Sequence, residues 1–205
     1  MKRFQLWCAA ALLPLLAACS FSVIPQAEYT ETRTFDLVSP GPIGELPFTI
    51  DVDAFSSECA SRYKMVFREE GNRIVVDEFN RWSMPPGAML TKYLTARFAA
   101  PSGHYGLDGR PAFKLDGSVV NCELNKTRKQ VDLLVHFFII EHDNDDFKIT
   151  GTENYSIPVD GTTAEAFADG MNKVAAKFAD HVVSVLKEEH AKRAAGAAKT
   201  APETK

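Results

Sequence analysis

The densest group of side chains that could do chemistry is an acidic run with one histidine, Glu-His-Asp-Asn-Asp-Asp at residues 141–146. Carboxylates bind calcium, and a histidine beside them can bind a transition metal. The spacing is not that of an EF-hand loop, and the glycine that such a loop needs at its turn is missing. Because the run lies between two segments with strand patterns, we interpret it as a solvated hairpin tip. We predict no metal site and no cofactor.

Motifs of hydrolases and ATPases are missing from the sequence. It contains no G-x-S-x-G nucleophile turn, no H-E-x-x-H zinc motif and no Walker A phosphate loop. We therefore predict no catalytic residue and classify the protein as a non-enzyme.

The first residues predict a secretory signal at 1–18. Lys2 and Arg3 precede an apolar run of about 15 residues, shorter than the roughly 20 that span a bilayer. The run ends in Leu-Ala-Ala before Cys19, which resembles the lipobox of bacterial lipoproteins. That resemblance implies cleavage before Cys19, a diacylglycerol on its thiol and acylation of its new amino group. Several acyl chains make a stable anchor, since a single chain holds a protein only marginally.

Two alternatives stay open for this leader: an ordinary signal peptide with an incidental Cys19, and a membrane-spanning anchor. In enterobacterial lipoproteins the residue after the lipidated cysteine influences sorting, and aspartate there favours the inner membrane. Ser20 stands at that position, so the resemblance implies an outer-membrane protein that faces the periplasm.

The charge of the chain excludes one class of partner. The net charge is −4, and loss of Lys2 and Arg3 with the leader leaves 21 basic against 27 acidic residues, a net charge of −6. Nucleic-acid binding is driven by lysines and arginines that neutralise phosphates, so an acidic chain argues against it.

Two cysteines besides Cys19 remain after the leader is removed, Cys59 and Cys122. An oxidising compartment favours a disulfide between them. Two buried thiols that never meet are the alternative, because the sequence does not give their separation.

The chain divides into a signal peptide at 1–18, a lipidated flexible tether at 19–32, one domain at 33–187 and a tail at 188–205. The tail is composed mostly of Ala, Lys, Glu and Pro. Such a segment buries little apolar surface, and we predict that it is disordered.

Period-two alternation predicts strands in the domain, with a bulge near Gly117–Val120 where the alternation changes phase. Other sequence signals predict two helices. Ser-Met-Pro-Pro at 83–86 predicts the start of the first. A capping box at Thr162–Glu165 precedes an apolar stripe for the second, formed by Phe167, Met171, Val174, Phe178, Val182 and Val185. We predict a single α+β domain, a mostly antiparallel sheet with both helices packed on one face.

The segment from Met65 to Trp82 resembles the ABC-type transport auxiliary lipoproteins, including the lipoprotein of the Pqi intermembrane transport system. In that family a strand runs through a Gly-Asn turn into a second strand that ends in an aromatic residue, a polar residue, Arg and Trp, and a helix follows. The matching residues here are Gly71, Asn72, Phe79, Arg81 and Trp82, and we interpret them as mainly structural. The segment 55–62 and the cysteine pair depart from the family pattern.

The resemblance implies a binding component that works beside an ATPase, a permease and a carrier of the mammalian-cell-entry type. It implies docking of that carrier on the periplasmic side of the outer membrane, and it leaves a homo-oligomer open. The alternative is a structural or assembly lipoprotein that partners an outer-membrane barrel protein.

Overall fold

The computed structural model describes residues 29–99, 112–142 and 144–200, with side chains for all of these except 145, 146 and 196–200. The compact unit that holds the described strands and helices begins at Thr32. The predicted signal peptide and Cys19 lie outside the described residues. Within the described ranges, no helix is both long enough and apolar enough to cross a membrane.

The described residues form eight strands and two helices. In chain order these are β1 Arg33–Phe35, β2 Thr49–Val52, β3 Ser56–Ser57, β4 Lys64–Arg68, β5 Ile74–Trp82, α1 Pro86–Phe98, β6 Ala112–Asn125, β7 Gln130–Glu141, β8 Asn144–Pro158 and α2 Ala164–Thr200. One 3-10 turn, Glu70–Asn72, connects β4 to β5.

All eight strands join one sheet, whose main path runs β1-β5-β4-β6-β7-β8. The 14-residue strand β6 is its centre. One edge of β6 pairs along its length with β7, and the other edge receives β2, β3 and β4 in turn. Strand β6 therefore joins four other strands, β2, β3, β4 and β7, in one layer.

The predicted α+β domain with two helices is confirmed, but the sheet is mixed. The pairs β4–β5, β6–β7 and β7–β8 are antiparallel. The pairs β1–β5, β2–β6, β3–β6 and β4–β6 are parallel. The strands β1, β2 and β3 have only two to four residues each. The direction of these strands is set by their pairing with β5 and β6. Patterns of two to four residues do not reveal that pairing.

The predicted bulge is confirmed as a shift in register of the β6–β7 pair between Val119 and Asn121. A regular strand sends residues three apart to opposite faces. With the extra residue, Val119 and Cys122 are both buried in the core. The bulge thus lets β6 keep its apolar side inward over its whole length.

Both helices cover the same face of the sheet. Helix α1 lies against β2, β3 and β6, helix α2 lies against β7 and β8, and the two helices contact each other. Phe178 of α2 is the centre of this core, with its ring centroid 5.6 Å from that of Phe137 and 6.1 Å from that of Phe55. Five of the six residues of the predicted α2 stripe are fully buried, as a helix that packs along one face requires.

Helix α2 continues to Thr200, whereas the sequence predicts a disordered tail from residue 188. Polar contacts hold the extension. The Arg193 guanidinium donates to Glu141 Oε2 at 2.7 Å and lies 4.3 Å from the Phe147 ring centroid. The His190 ring packs 6.4 Å from that of Phe48. A prediction that counts only large apolar residues misses contacts of this kind.

Candidate functional site

Trp82 is the last residue of strand β5, and its side chain lies in the core. Its side chain is 2% exposed, and its ring meets Phe167 edge to face with centroids 5.0 Å apart. Its backbone N–H donates to Tyr63 O at 2.6 Å. The Arg-Trp pair of the motif thus points to two sides of the strand, with Trp82 inward and Arg81 exposed.

Gly71 and Asn72 form the connection between β4 and β5. Both have a left-handed backbone, with φ of 67° and 62°. Glycine adopts this conformation without steric cost, and asparagine tolerates it better than most residues. The Asn72 carbonyl also accepts a hydrogen bond from Arg68 at 3.3 Å. These two motif residues set the turn.

Phe79 lies in a stretch of β5 where the pairing with β4 is irregular. The Asp77 carboxylate accepts hydrogen bonds from the backbone N–H groups of Phe79 and Asn80, at 2.8 Å and 2.9 Å. These local bonds compete with regular pairing, and the register of β4 with β5 shifts between Lys64 and Val66. The Phe79 side chain in this stretch is 46% exposed.

Beside the motif lies a cleft of about 610 Å³, which we call the basic cleft. Strands β1, β4 and β5 and the loop before β4 supply its side chains, among them Thr34, Ser61, Arg62, Tyr63, Lys64 and Arg81. Thr34 and Lys64 are the two strand neighbours of Arg81, one on each side. The strand pairing therefore places two of the three cations side by side.

The basic cleft carries more positive than negative charge. Lys64 Nζ is 2.5 Å from Glu78 Oε2, so one cation has an acidic partner. The Arg62 guanidinium lies 5.4 Å from the Tyr63 ring centroid. Among the described residues, neither Arg62 nor Arg81 has an acidic partner. Like charges directly opposite on neighbouring strands are unfavourable, and an anion between them relieves that repulsion.

A second cleft of about 430 Å³ adjoins the first through Ser61 and Arg62. Its other lining residues are the apolar side chains Phe55, Pro85 and Ala88 together with Ser57 and Cys59. The first turn of α1 borders it, and the N-terminus of a helix carries a partial positive charge. We call this second cleft, which extends the basic cleft with a lining of mixed polarity, the side cleft.

Cys59 lines the side cleft, and Cys122 lies in the core. Cys59 Sγ donates to Val119 O at 3.5 Å, and Cys122 Sγ is 3.7 Å from Met171 Sδ. Both are thiols in the structure, so the disulfide stays a prediction for the oxidised protein. Burial raises the pKa of the Cys59 thiol to about 11 and raises that of Cys122 well above its usual value.

The acidic run at 141–146 closes the antiparallel hairpin of β7 and β8, where Glu141 pairs with Asn144. Asp143 and the side chains of 145 and 146 lie outside the described residues. In the described part of the chain, no group of three or more His, Cys, Asp or Glu side chains could hold a metal ion. The described carboxylate of Glu141 is paired with Arg193.

Comparison with known families identifies the class of protein. Residues 51–183 match the family of the ABC-type transport auxiliary lipoprotein component. The match covers more than half of the chain, which therefore belongs to this family, as its motif residues predict. It is a lipoprotein family associated with ABC-type transport and not an enzyme family.

Two crystal structures share the fold. A protein from Xanthomonas campestris of the DUF330 family has a TM-score of 0.55 at 14% identity, over 77% of this chain and 99% of that chain. A second, described as an uncharacterized protein, has a TM-score of 0.53 at 13% identity, over 75% and 99%. At these identities the likeness concerns the fold alone. No curated protein matches the chain.

Proposed function

We propose that this protein is an outer-membrane lipoprotein, facing the periplasm, that docks a mammalian-cell-entry-type carrier of an ABC-type intermembrane lipid transport system. The observation that carries the proposal is the family match over residues 51–183. An ATPase and a permease complete the system, and neither activity is expected of this chain. A homo-oligomer remains open within this proposal.

The chemistry of the motif surface supports docking. Tyr63, Phe79 and Arg81 are all exposed at one end of the β4–β5 hairpin, and we call them the motif face. Aromatic residues and arginine are enriched in protein interfaces and carry much of their binding energy. Trp82, on the other side of the strand, fixes this surface to the core.

The length of the N-terminal segment sets how far the domain can stand from the membrane. If Cys19 carries the lipid, residues 19–32 join it to β1. A fully extended chain spans at most about 3.3–3.6 Å per residue, so this segment reaches roughly 50 Å at most. The carrier must therefore approach the lipid-bearing membrane to within that distance plus the domain itself.

The test is a crosslinking pull-down of the membrane-anchored protein, analysed by mass spectrometry. We expect recovery of a mammalian-cell-entry-type carrier or its permease. Recovery of an outer-membrane barrel protein without a carrier would overturn the proposal in favour of a structural or assembly lipoprotein.

A matched control is the Cys19→Ser precursor. We expect it to lose acylation and to leave the outer-membrane fraction, while its domain folds unchanged because residue 19 precedes the described domain. Outer-membrane retention of this variant would contradict lipid anchoring through Cys19.

A further inference from the structure

The basic cleft has the volume of a small-ligand site. Its volume of about 610 Å³ lies within the range of roughly 300–1,000 Å³ that is usual for such sites. The side cleft adjoins it through Ser61 and Arg62 and adds both serine and apolar side chains.

The donors that converge on the cleft suit a phosphate group. Two guanidinium groups without acidic partners among the described residues, Arg62 and Arg81, face it together with the Lys64 ammonium. Guanidinium groups present paired N–H donors that match phosphate oxygens. Ser61 Oγ accepts from the backbone N–H of Lys64 at 3.0 Å, which leaves its own O–H free to donate.

Two of the acidic groups near the cleft have basic partners. Glu78 is paired with Lys64, and Asp36 accepts from Lys92 Nζ at 2.5 Å. The summed charge of the four residues at the cleft is therefore positive: Arg62, Lys64 and Arg81 against Glu78. This local excess contrasts with the net charge of −4 of the whole chain, so the cleft does not simply reflect overall composition.

We propose that the basic cleft binds a phosphate group through Arg62 and Arg81. The phosphate belongs either to an anionic lipid headgroup or to a free ion. The side cleft next to Arg62 favours the lipid, because its lining mixes serine hydroxyls with apolar side chains and so offers a place for the glycerol and its ester groups. The choice of a lipid rests on the transport role proposed above, whereas phosphate binding does not.

The test uses the lipidated protein in a maltoside detergent, which contains no phosphate. Four probes are titrated calorimetrically: dihexanoyl phosphatidic acid, dihexanoyl phosphatidylcholine, inorganic phosphate and a hexaglutamate peptide. We expect phosphatidic acid to bind more tightly than the zwitterionic phosphatidylcholine. We also expect its affinity to fall as ionic strength rises, because salt screens exposed charges.

The variant Arg62→Gln/Arg81→Gln removes both guanidinium groups and should weaken phosphatidic acid binding by roughly a hundredfold, about tenfold for each lost charged contact. The control Arg128→Gln/Lys129→Gln removes the same charge from the exposed β6–β7 turn and should bind like the parent. Arg81→Lys keeps the charge but lacks the paired N–H donors, so its affinity for phosphatidic acid should lie between that of the parent and that of the double arginine variant. Equal melting temperatures establish that all variants are folded.

Equal affinity for inorganic phosphate and phosphatidic acid supports the phosphate site with the free ion as its source. Tighter binding of phosphatidic acid supports the lipid headgroup. Binding of hexaglutamate alone, or an equal loss of affinity in the Arg128→Gln/Lys129→Gln control, overturns the proposal. The carrier pull-down is independent of this titration, so a negative binding result leaves the docking proposal standing.

Discussion

Truncation of Trp82 to alanine should cost this domain a large part of its stability. The side chain is 2% exposed and packs edge to face on Phe167 at 5.0 Å. Burial of this kind makes a Trp→Ala change cost about 3–5 kcal/mol, of which the aromatic pair contributes about 0.5–1.5 kcal/mol. A domain of this size is stable by only about 5–15 kcal/mol.

The neighbouring residue provides the matched control. Arg81 is exposed and has no ion pair among the described residues, so Arg81→Ala should change the free energy of unfolding by no more than about 0.5 kcal/mol. Comparison of these two adjacent substitutions therefore distinguishes the motif residue that stabilises the core from the one that lies on the surface.

The assay is urea unfolding followed by far-ultraviolet circular dichroism, with equal slopes checked before free energies are compared. Fluorescence adds a second readout, because Trp7 and Trp82 are the only tryptophans and Trp7 lies in the predicted leader. The mature protein should show blue-shifted emission from buried Trp82. A loss below 1 kcal/mol for Trp82→Ala, or a comparable loss for Arg81→Ala, would refute the reasoning.

Three further outcomes follow from the structure. Arg68→Ala removes the bidentate partner of Glu123, whose side chain is 4% exposed, and should cost about 3–5 kcal/mol in urea unfolding because a buried carboxylate loses its cation. Hydrogen bonds, the first of them from the Lys126 ammonium, hold the pKa of Glu69 below its usual 4.5. Its stabilising effect is therefore complete above pH 4.5 and is lost as pH falls through the lowered value. Lys126→Met should move the pKa of Glu69 upward in a carboxyl NMR titration. Because burial raises the pKa of Cys59 to about 11, the reduced native protein should react slowly with iodoacetamide at neutral pH and quickly in urea.

For each of these predictions, one result would contradict it. An Arg68→Ala protein as stable as the parent would show that Glu123 reaches solvent or another partner. An unmoved Glu69 titration would mean that Lys126 does not hold this carboxyl. Equal alkylation rates in the native and unfolded states would place the Cys59 thiol in solvent. Failure to alkylate in urea before reduction would instead establish the predicted disulfide.

Local patterns predict the buried stripe of α2 and the bulge of β6. The α2 stripe from Phe167 to Val182 is one continuous signal over several turns, and the bulge beside Val119 leaves a phase change that the sequence shows directly. Both depend on residues close together in the chain, where the periods of helix and strand apply. The family motif identified the β4–β5 hairpin for the same reason.

Contacts between distant segments account for what the sequence did not predict. The parallel pairing of β1 with β5 joins residues 47 apart, as the Arg33–Asn80 bond shows, and three residues carry no signal of such a partner. The extension of α2 depends on Arg193 meeting Glu141, a separation of 52 residues.

The basic cleft is also a product of long-range register. The family motif includes Arg81 but not Arg62 or Lys64. The β4–β5 ladder places Lys64 opposite Arg81, and the loop before β4 brings Arg62 to the same cleft. One signal was present in the sequence: three basic residues, at 62, 64 and 81, flank a hairpin in a chain that is acidic overall. Without the register, that signal does not distinguish a cleft from scattered surface charge.

Site-specific photocrosslinking in cells tests the central claim most directly. A photoreactive amino acid replaces Phe79 on the motif face, and in a control protein it replaces Lys177, which is exposed on α2. We predict that position 79 crosslinks to a mammalian-cell-entry-type carrier and that position 177 does not. Crosslinks from position 79 to a barrel protein only, or to the carrier equally from both positions, would contradict docking through the motif face.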